Sequence, residues 1–250
     1  MLHHEKFGSG QPVVLVPGGG ARGRTYALYQ VPALVEAGYQ VYIVDNRPDA
    51  RTIGELVADL AAFVERVVGG PCRLAGSSMG AHTVQELLVA RPDLAVQGVL
   101  MASRARPDAL SKAYAGAERE LRASGITLPP GFEALIRAMQ NLSPRTLADE
   151  QKAQDWLEII ELAGSSGPAT PEVAAVDWDT DRRDAYRTIT VPTLVVSFAD
   201  DLVTPAARGR ELADSIPGAR YAEIPDAGHY GYLEQPGPVN EALLAFFKEI

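Results

Sequence analysis

The stretch "CRLAGSSMGAHTVQELLVARP", residues 72–92, decides the fold. Its opening run predicts a short strand, and the segment from Met79 to about Ala90 has helical spacing and is stopped by Pro92. The tight turn "GSSMG" joins the two and holds two serines, Ser77 and Ser78. Either one of them is a nucleophile or the turn is purely structural, and the rest of the chain has to decide.

Strand-like and helix-like patterns alternate on both sides of this stretch. Short apolar runs predict strands at 12–16, 40–44, 72–76, 97–102, 193–198 and 219–224. Most are apolar throughout, which is typical of parallel strands covered on both faces. With helical segments between them, they predict an α/β fold with a doubly wound, mostly parallel sheet. The segment that precedes them, with His3 and His4, is expected to be a loose terminus.

One interval, residues 104–190, contains no strand-like pattern. It holds helix-like segments at 108–124, 131–140, 145–163 and 174–189, punctuated by prolines. We therefore predict a core of residues 1–103 and 191–250 with a helical cap insertion, residues 104–190, over the carboxyl end of the sheet. The stretch "GSSGPATP", residues 164–171, is expected to be a flexible joint within this cap.

Composition excludes several classes of partner. The 250 residues carry a net charge of −9 without a dense basic run, which argues against nucleic acid and anionic membranes. The single cysteine, Cys72, excludes an intrachain disulfide and a cysteine-rich metal site. No apolar run reaches the roughly 20 residues that a membrane span needs, and the first residues lack a signal-peptide pattern. These features predict a cytoplasmic protein that binds neither nucleic acid nor membrane.

Ser78 is the better candidate nucleophile, because it is the central residue of the G-x-S-x-G pattern. In a sharp strand-to-helix turn this residue stands at the tip, with its Oγ above the start of the helix. Gly76 and Gly80 would give clearance to neighbouring backbone, whereas Ser77 would face the strand side. A match to this short pattern is weak alone in a chain with 23 glycines.

A serine hydroxyl needs a base, and His229 is the best placed histidine. It lies in "IPDAGHYGYLEQP", after the last predicted strand, at the sheet edge where ligands gather in α/β proteins. His82, one helical turn past Ser78, is expected to be packed or solvated. A base of this kind needs an acid, and "VVSFADDLVTP" presents both Asp200 and Asp201 at the same edge.

In the order serine, acid, histidine, the chain resembles the α/β-hydrolase superfamily over nearly its whole length. The segments that carry the resemblance are "PVVLVPGGG", "AGSSMG", "ADDLVTP" and "DAGHYGYLEQP". They are similar to the oxyanion loop with its strand, the nucleophile elbow, the acid loop and the histidine loop. The resemblance implies Ser78 as nucleophile, His229 as base and Asp201, four residues before Pro205, as acid.

The resemblance also assigns the oxyanion donors to the backbone N–H groups of Gly19 and Met79, and it implies no metal or organic cofactor. The first loop departs from many relatives, since Pro17 stands where they carry histidine. Another family position for the acid, just after strand 97–102, carries Ser103 and offers no carboxylate.

The resemblance implies hydrolysis of a small-molecule ester or thioester, lactones included, of an apolar acyl group through an acyl-enzyme. Alternatives are perhydrolysis of the cofactor-free haloperoxidase type, C–C bond hydrolysis, and a non-catalytic binding protein on the same fold. Ser78 speaks against epoxide hydrolysis, because those relatives carry aspartate at the elbow. Aromatic residues that either line the pocket or simply pack are Tyr26, Tyr29, Trp156, Trp178, Tyr230 and Tyr232. Arg22, Arg104 and Arg106 are expected to be solvated loop charges.

Overall fold

The protein is described by a computed structural model that covers residues 2–165 and 180–250. Its strands are His4–Gly8 (β1), Gln11–Val16 (β2), Tyr39–Val44 (β3), Cys72–Ser77 (β4), Ala95–Met101 (β5), Thr193–Phe198 (β6) and Arg220–Ile224 (β7). They form one sheet in the order β1-β3-β2-β4-β5-β6-β7. Only β1 is antiparallel to its neighbour. The prediction of a doubly wound, mostly parallel sheet is confirmed.

The amino-terminal segment is not the loose terminus that the sequence suggested. Residues His4–Gly8 pair with β3 in an antiparallel register that sets His4 opposite Val44. The open edge of β3 offers unpaired backbone groups, and a strand laid against it satisfies them. Phe7 of the new strand also packs against the apolar layer of the core. The segment has too few apolar residues to be recognised as a strand from its sequence.

Helices cover both faces of the sheet and form the insertion. They are Gln30–Glu36 (α1), Ile53–Phe63 (α2), Met79–Ala90 (α3), Ala109–Ser124 (α4), Pro130–Asn141 (α5), Pro144–Ala148 (α6), Glu150–Ser165 (α7), Arg183–Tyr186 (α8), Ala206–Ser215 (α9), Gly231–Glu234 (α10) and Pro236–Phe247 (α11). No helix among the described residues is long and apolar enough to cross a bilayer.

Strands β2 to β6 bury side chains on both faces, which explains their largely apolar sequences. Along β2, Val14 and Val16 lie in the layer under α2, α3 and α9, whereas Val13 and Leu15 lie under α1 and α11. Cys72 belongs to the first layer, and burial raises the pKa of its thiol to about 12. This cysteine therefore stays protonated and packs as a small apolar residue, as expected.

The insertion between β5 and β6 is helical, and its described residues contain no strand. The single helix expected over 145–163 is wrong: Asp149 has an extended backbone, with ψ of 109°, and separates α6 from α7. Its carboxylate accepts a hydrogen bond from the Lys152 N–H, so the break doubles as a cap for α7. Most of the predicted joint, 166–171, lies outside the described residues, as do 174–179. The domain boundaries remain a prediction.

Candidate active site

The turn between β4 and α3 holds Ser78 in a strained backbone conformation. Only this residue separates the last residue of the strand from the first of the helix. Its φ of 53° and ψ of −116° lie in a region that side chains other than glycine rarely adopt. The Ser78 N–H donates to the Met101 carbonyl at 2.9 Å, which ties the turn to β5. Ser78 is half-buried, and its strained backbone joins the strand directly to the helix.

The glycines on either side of Ser78 are required by close backbone contacts. A Cβ on Gly76 would lie 2.3 Å from the Gly80 carbonyl oxygen, and one on Gly80 would lie 2.2 Å from the Val16 carbonyl oxygen. Real Cβ atoms do not approach an oxygen so closely. Ser77 ends β4 and is buried, in agreement with the expectation that it faces the strand side.

The structure brings Ser78, His229 and Asp201 into one chain of hydrogen bonds. His229 Nε2 lies 3.0 Å from Ser78 Oγ, and His229 Nδ1 lies 2.8 Å from Asp201 Oδ2. His229 is 7% exposed and Asp201 is 3% exposed. With its proton on Nδ1, the imidazole donates to the carboxylate and leaves Nε2 free to accept the serine proton. This is the geometry of a nucleophile, a base and an orienting acid.

Asp201 is held by its own loop. Its Oδ1 accepts hydrogen bonds from the N–H groups of Val203 and Thr204, both at 2.8 Å. Its Oδ2 accepts one from the Thr204 hydroxyl at 2.7 Å, beside the bond from His229. A buried carboxylate is tolerated when its oxygens are satisfied in this way. Thr204 was not singled out in the sequence, although it lies inside the quoted acid loop.

Asp200, the neighbouring carboxylate, points to a different partner. Its Oδ2 accepts a hydrogen bond from the Ser143 hydroxyl at 2.6 Å. Ser143 is the residue that caps the start of α6 in the insertion. Successive residues at the end of a strand point in different directions, so only one of the two aspartates reaches His229. In this structure it is Asp201.

Gly19 and Met79, the expected oxyanion donors, lie side by side next to the elbow. A Cβ on Gly19 would be 3.9 Å from the Met79 Cβ, and one on Gly18 would be 3.4 Å from the Ser78 Cβ. Met79 is the first residue of α3, and the first N–H groups of an α-helix have no partner within the helix. A developing negative charge on a substrate oxygen would also be favoured by the helix dipole.

Two of the candidate aromatic residues belong to the core. Tyr26 and Tyr232 are buried with ring centroids 5.0 Å apart, and the Tyr26 hydroxyl donates to the Val16 carbonyl at 3.0 Å. Burial raises the pKa of both phenols, so they stay protonated. Tyr29 lies at the surface. These three positions are explained by ordinary packing and solvation.

A second aromatic pair lies beside the histidine. Trp156 of α7 stacks on Tyr230 with centroids 6.1 Å apart and planes 29° apart. The Tyr230 ring lies 6.5 Å from the His229 ring. The insertion thus contributes one aromatic ring, that of Trp156, which stacks on the residue next to His229. The remaining candidate, Trp178, lies outside the described residues.

Arg104 is not the solvated charge that the sequence suggested, since it is only 8% exposed. It lines a cavity of about 250 Å³ along α3 together with His82, Glu86 and Arg182. Burial, and then the charge of Arg104, hold the pKa of His82 well below its usual range, so this histidine is neutral. None of the three residues of the triad lines this cavity.

The two other arginines differ from Arg104. Arg22 is exposed, as expected, whereas Arg106 is half-buried and pairs with Glu211 at 2.9 Å. Ser103, at the alternative position for the acid, is buried and donates its hydroxyl to the Gln85 side chain on α3. Ser103 carries no carboxylate, so the alternative position adds no second acid to the triad.

The chain is similar to known proteins over most of its length. A model described as the alpha/beta hydrolase family matches residues 13–242. BpoC of Mycobacterium tuberculosis, provisionally named a non-heme bromoperoxidase, is 42% identical over 257 residues, covering 100% of this chain and 98% of that protein. Its crystal structure matches with a TM-score of 0.91 at 40% identity, covering 100% of this chain and 96% of that one.

A thermophilic esterase from Thermogutta terrifontis, solved with malate bound, is also similar in structure. It matches with a TM-score of 0.82 at 26% identity, covering 99% of this chain and 93% of that one. The similarity to both proteins therefore extends through the sheet and the helical insertion alike.

Proposed function

The chain belongs to the alpha/beta hydrolase family, and we propose that it is a serine hydrolase for esters or thioesters, lactones included, of apolar acyl groups. The observation that carries the proposal is the unbroken relay from Ser78 Oγ through the His229 ring to Asp201, with distances of 3.0 and 2.8 Å. A serine with a base and an orienting acid in this order is equipped for acyl transfer.

In the first half of the reaction, Ser78 Oγ attacks the carbonyl carbon of the substrate and passes its proton to His229 Nε2. Asp201 keeps the proton on Nδ1 and stabilises the imidazolium that forms. The N–H groups of Gly19 and Met79 donate to the oxyanion of the tetrahedral intermediate. Collapse of this intermediate breaks the bond to the leaving group, which takes the proton from His229 and departs as an alcohol or thiol.

In the second half, water replaces the leaving group. His229 removes a proton from the water, whose oxygen attacks the acyl carbon on Ser78. The second tetrahedral intermediate uses the same oxyanion donors and releases the acid, while the proton returns to Ser78 Oγ. Every group in this cycle is supplied by the chain or by water, so the proposal requires no metal or organic cofactor.

The choice of an apolar acyl group rests on the insertion. The stacked pair Trp156 and Tyr230 places an apolar surface near His229. Aromatic rings bury a large apolar area at a small cost in conformational freedom, which suits an acyl chain. The name of the similar Thermogutta protein, an esterase, supports the same reaction class.

Perhydrolysis is the second candidate, favoured by the name of the M. tuberculosis relative. It uses the same acyl-enzyme, which hydrogen peroxide attacks in place of water, so that a peracid is released and can oxidise bromide. The two reactions differ only in the second nucleophile. C–C bond hydrolysis is a further alternative on the same triad.

A panel of p-nitrophenyl esters and acyl thioesters of increasing chain length tests the proposal, with Ser78→Ala as the control. We expect turnover that depends on Ser78 and rises with chain length. Peracid formation from a short carboxylic acid and hydrogen peroxide tests the second candidate in parallel. A fluorophosphonate that fails to label Ser78, together with no turnover in either assay, would support a non-catalytic binding protein instead.

A further inference from the structure

One turn of the insertion contacts both loops that carry the triad's acid and base. We call residues 141–146, which join α5 to α6, the cap turn. We call residues 199–205 the acid loop and residues 225–235 the histidine loop. The cap turn is distant from both loops in sequence, and it forms hydrogen bonds with both through partly buried groups.

The acid loop is bound through Ser143. This serine is fully buried, and its hydroxyl donates to Asp200 at 2.6 Å while accepting from the Arg145 N–H at 3.1 Å. Asp200 directly precedes Asp201 in the chain. A displacement of Ser143 would therefore pull on the backbone that carries the acid.

The histidine loop is bound through Glu234. One carboxylate oxygen of Glu234 accepts from the Ser143 N–H at 2.9 Å and from the Thr146 hydroxyl at 2.6 Å. The other accepts from the Gly228 N–H at 2.7 Å. A single carboxylate thus joins the cap turn to the residue that directly precedes His229.

The residues on both sides of His229 touch the cap turn as well. The Tyr230 N–H donates to the Asn141 carbonyl at 3.0 Å. A Cβ on Gly228 would lie 2.5 Å from the same carbonyl oxygen, so the two backbones are in direct contact. His229 is therefore bracketed, before and after, by atoms held against the insertion.

The arrangement brings two carboxylates to one serine, which is electrostatically unfavourable. Burial, with a smaller contribution from the charge of Asp200, raises the pKa of Glu234, against the hydrogen bonds from Thr146, Ser143 and Gly228. A buried carboxylate near a like charge costs stability unless its contacts repay that cost. Such a cost is easier to explain where the contacts serve function than where they only join two loops.

We propose that Ser143 and Glu234 are positioning residues. They fasten both loops to the cap turn and so keep His229 within hydrogen-bonding distance of Ser78 and Asp201. The inference rests on the proposed serine hydrolase function. Neither residue contacts the substrate or the reacting atoms. Each acts by keeping the imidazole within reach of the serine and the carboxylate, where a displacement on the order of 1 Å costs up to about a hundredfold in rate.

The test compares two variants with matched controls. Ser143→Ala removes the hydroxyl that joins Asp200, and its control is Ser111→Ala, which removes a buried cap hydroxyl that bonds only to Asp108. Glu234→Gln puts an amide where two oxygens accept hydrogen bonds. Its control is Glu55→Gln, at a carboxylate that accepts from two backbone N–H groups at the start of α2.

Three measurements are made on each protein: kcat and KM for an acetyl ester, the rate of Ser78 labelling by a small fluorophosphonate, and Tm. We expect kcat and the labelling rate to fall about tenfold in Ser143→Ala and in Glu234→Gln, with KM nearly unchanged. The controls should lower Tm by a similar amount and leave both rates within about twofold. Ser143→Ala loses a single oxygen atom, so it keeps the test decisive if Glu234→Gln does not fold.

A spectroscopic measurement separates this inference from the proposed function. The His229 Nδ1 proton that bonds Asp201 should give a low-field proton NMR signal, assigned by its loss in His229→Gln. We expect this signal to broaden or move in Ser143→Ala and Glu234→Gln and to stay unchanged in the two control variants. Unchanged rates and an unchanged signal would overturn the inference, whereas a wild-type protein without esterase activity would overturn the proposed function alone.

Discussion

The nucleophile elbow and the helical insertion place opposite demands on their residues. At the elbow, Gly76 and Gly80 have backbone atoms within 2.4 Å of where a Cβ would stand, and Ser78 takes a strained conformation. In the insertion, Gly116 has open space around its Cα. Phe132 and Met139 of α5 are apolar yet 50% and 55% exposed. Close contacts therefore leave no room for a side chain at the elbow glycines, whereas the exposed positions of the insertion have room for one.

This difference fits separate roles for the two regions, with the reaction at the elbow and the choice of substrate at the insertion. Chemistry needs atoms within a few tenths of an ångström of the productive position, so the elbow is built from backbone contacts that cannot relax. Selection of an acyl group, the role that we propose for the insertion, needs only a surface of suitable shape, so we expect the insertion to tolerate more substitutions. The cap turn differs from the exposed parts of the insertion, because most of its residues are buried and it is bonded to the loops of the core.

The largest effect should come from the elbow itself. Ser78→Ala removes the nucleophile and should lower kcat by about 10⁶-fold, as in serine hydrolases where the nucleophile is removed. Ser77→Ala, one residue earlier, should keep activity within about tenfold, since Ser77 is buried in β4. Ester turnover and fluorophosphonate labelling with peptide mapping measure both. Labelling at Ser77 would show that the other serine is the nucleophile.

The next effect concerns the two aspartates. Asp201→Asn should lower turnover about 10⁴-fold with little change in Tm, because the amide no longer stabilises the imidazolium. Asp200→Asn should cost at most about tenfold in rate, through the loosened contact with Ser143. Turnover and Tm of both variants decide the matter. A larger rate loss for Asp200→Asn would reverse the assignment of the acid.

The glycines test the comparison through stability. Gly80→Ala should destabilise the fold by roughly 3 kcal/mol or more, because its Cβ would collide with the Val16 carbonyl oxygen. Gly116→Ala lies inside α4 with open space around it and should stabilise the protein by about 0.5–1 kcal/mol. Urea unfolding of both variants measures the difference. Equal effects would mean that the elbow is less constrained than its contacts indicate.

The insertion should affect selectivity more than chemistry. Trp156→Ala should lower kcat/KM for long acyl esters by roughly tenfold and for acetyl esters by much less. Ile159→Ala, on the same helix and exposed, is the matched control and should change neither. Equal losses for short and long esters at Trp156 would make the insertion a scaffold.

The smallest effect is a dependence of stability on pH. Burial raises the pKa of Glu234 above its usual 4.5, so the folded state binds this proton more tightly than the unfolded state. The contribution of Glu234 to stability is therefore greatest at low pH and declines as pH rises through the interval above 4.5. Relative to Glu234→Gln, the wild-type free energy of unfolding should fall over that interval. Parallel curves for the two proteins would contradict this.

The sequence by itself determined the features that depend on neighbouring residues. Short, mostly apolar runs located β2 to β7 to within two residues, since a strand covered on both faces needs apolar side chains at successive positions. The glycine spacing around Ser78 predicted a turn between strand and helix at that residue, because only a small residue fits where backbones meet. These features are local, so the identities of neighbouring residues in the chain are enough to predict them.

Only the tertiary structure decided the features that depend on residues far apart in the chain. His4–Gly8 is a strand because the edge of β3 is open to it, and Asp200 turns to Ser143 because the insertion folds back over that loop. Glu234 offers no signal in its own neighbourhood that it binds the cap turn. A hydrogen bond needs its donor and acceptor to lie about 3 Å apart, and residues remote in the chain reach that distance only once the chain has folded.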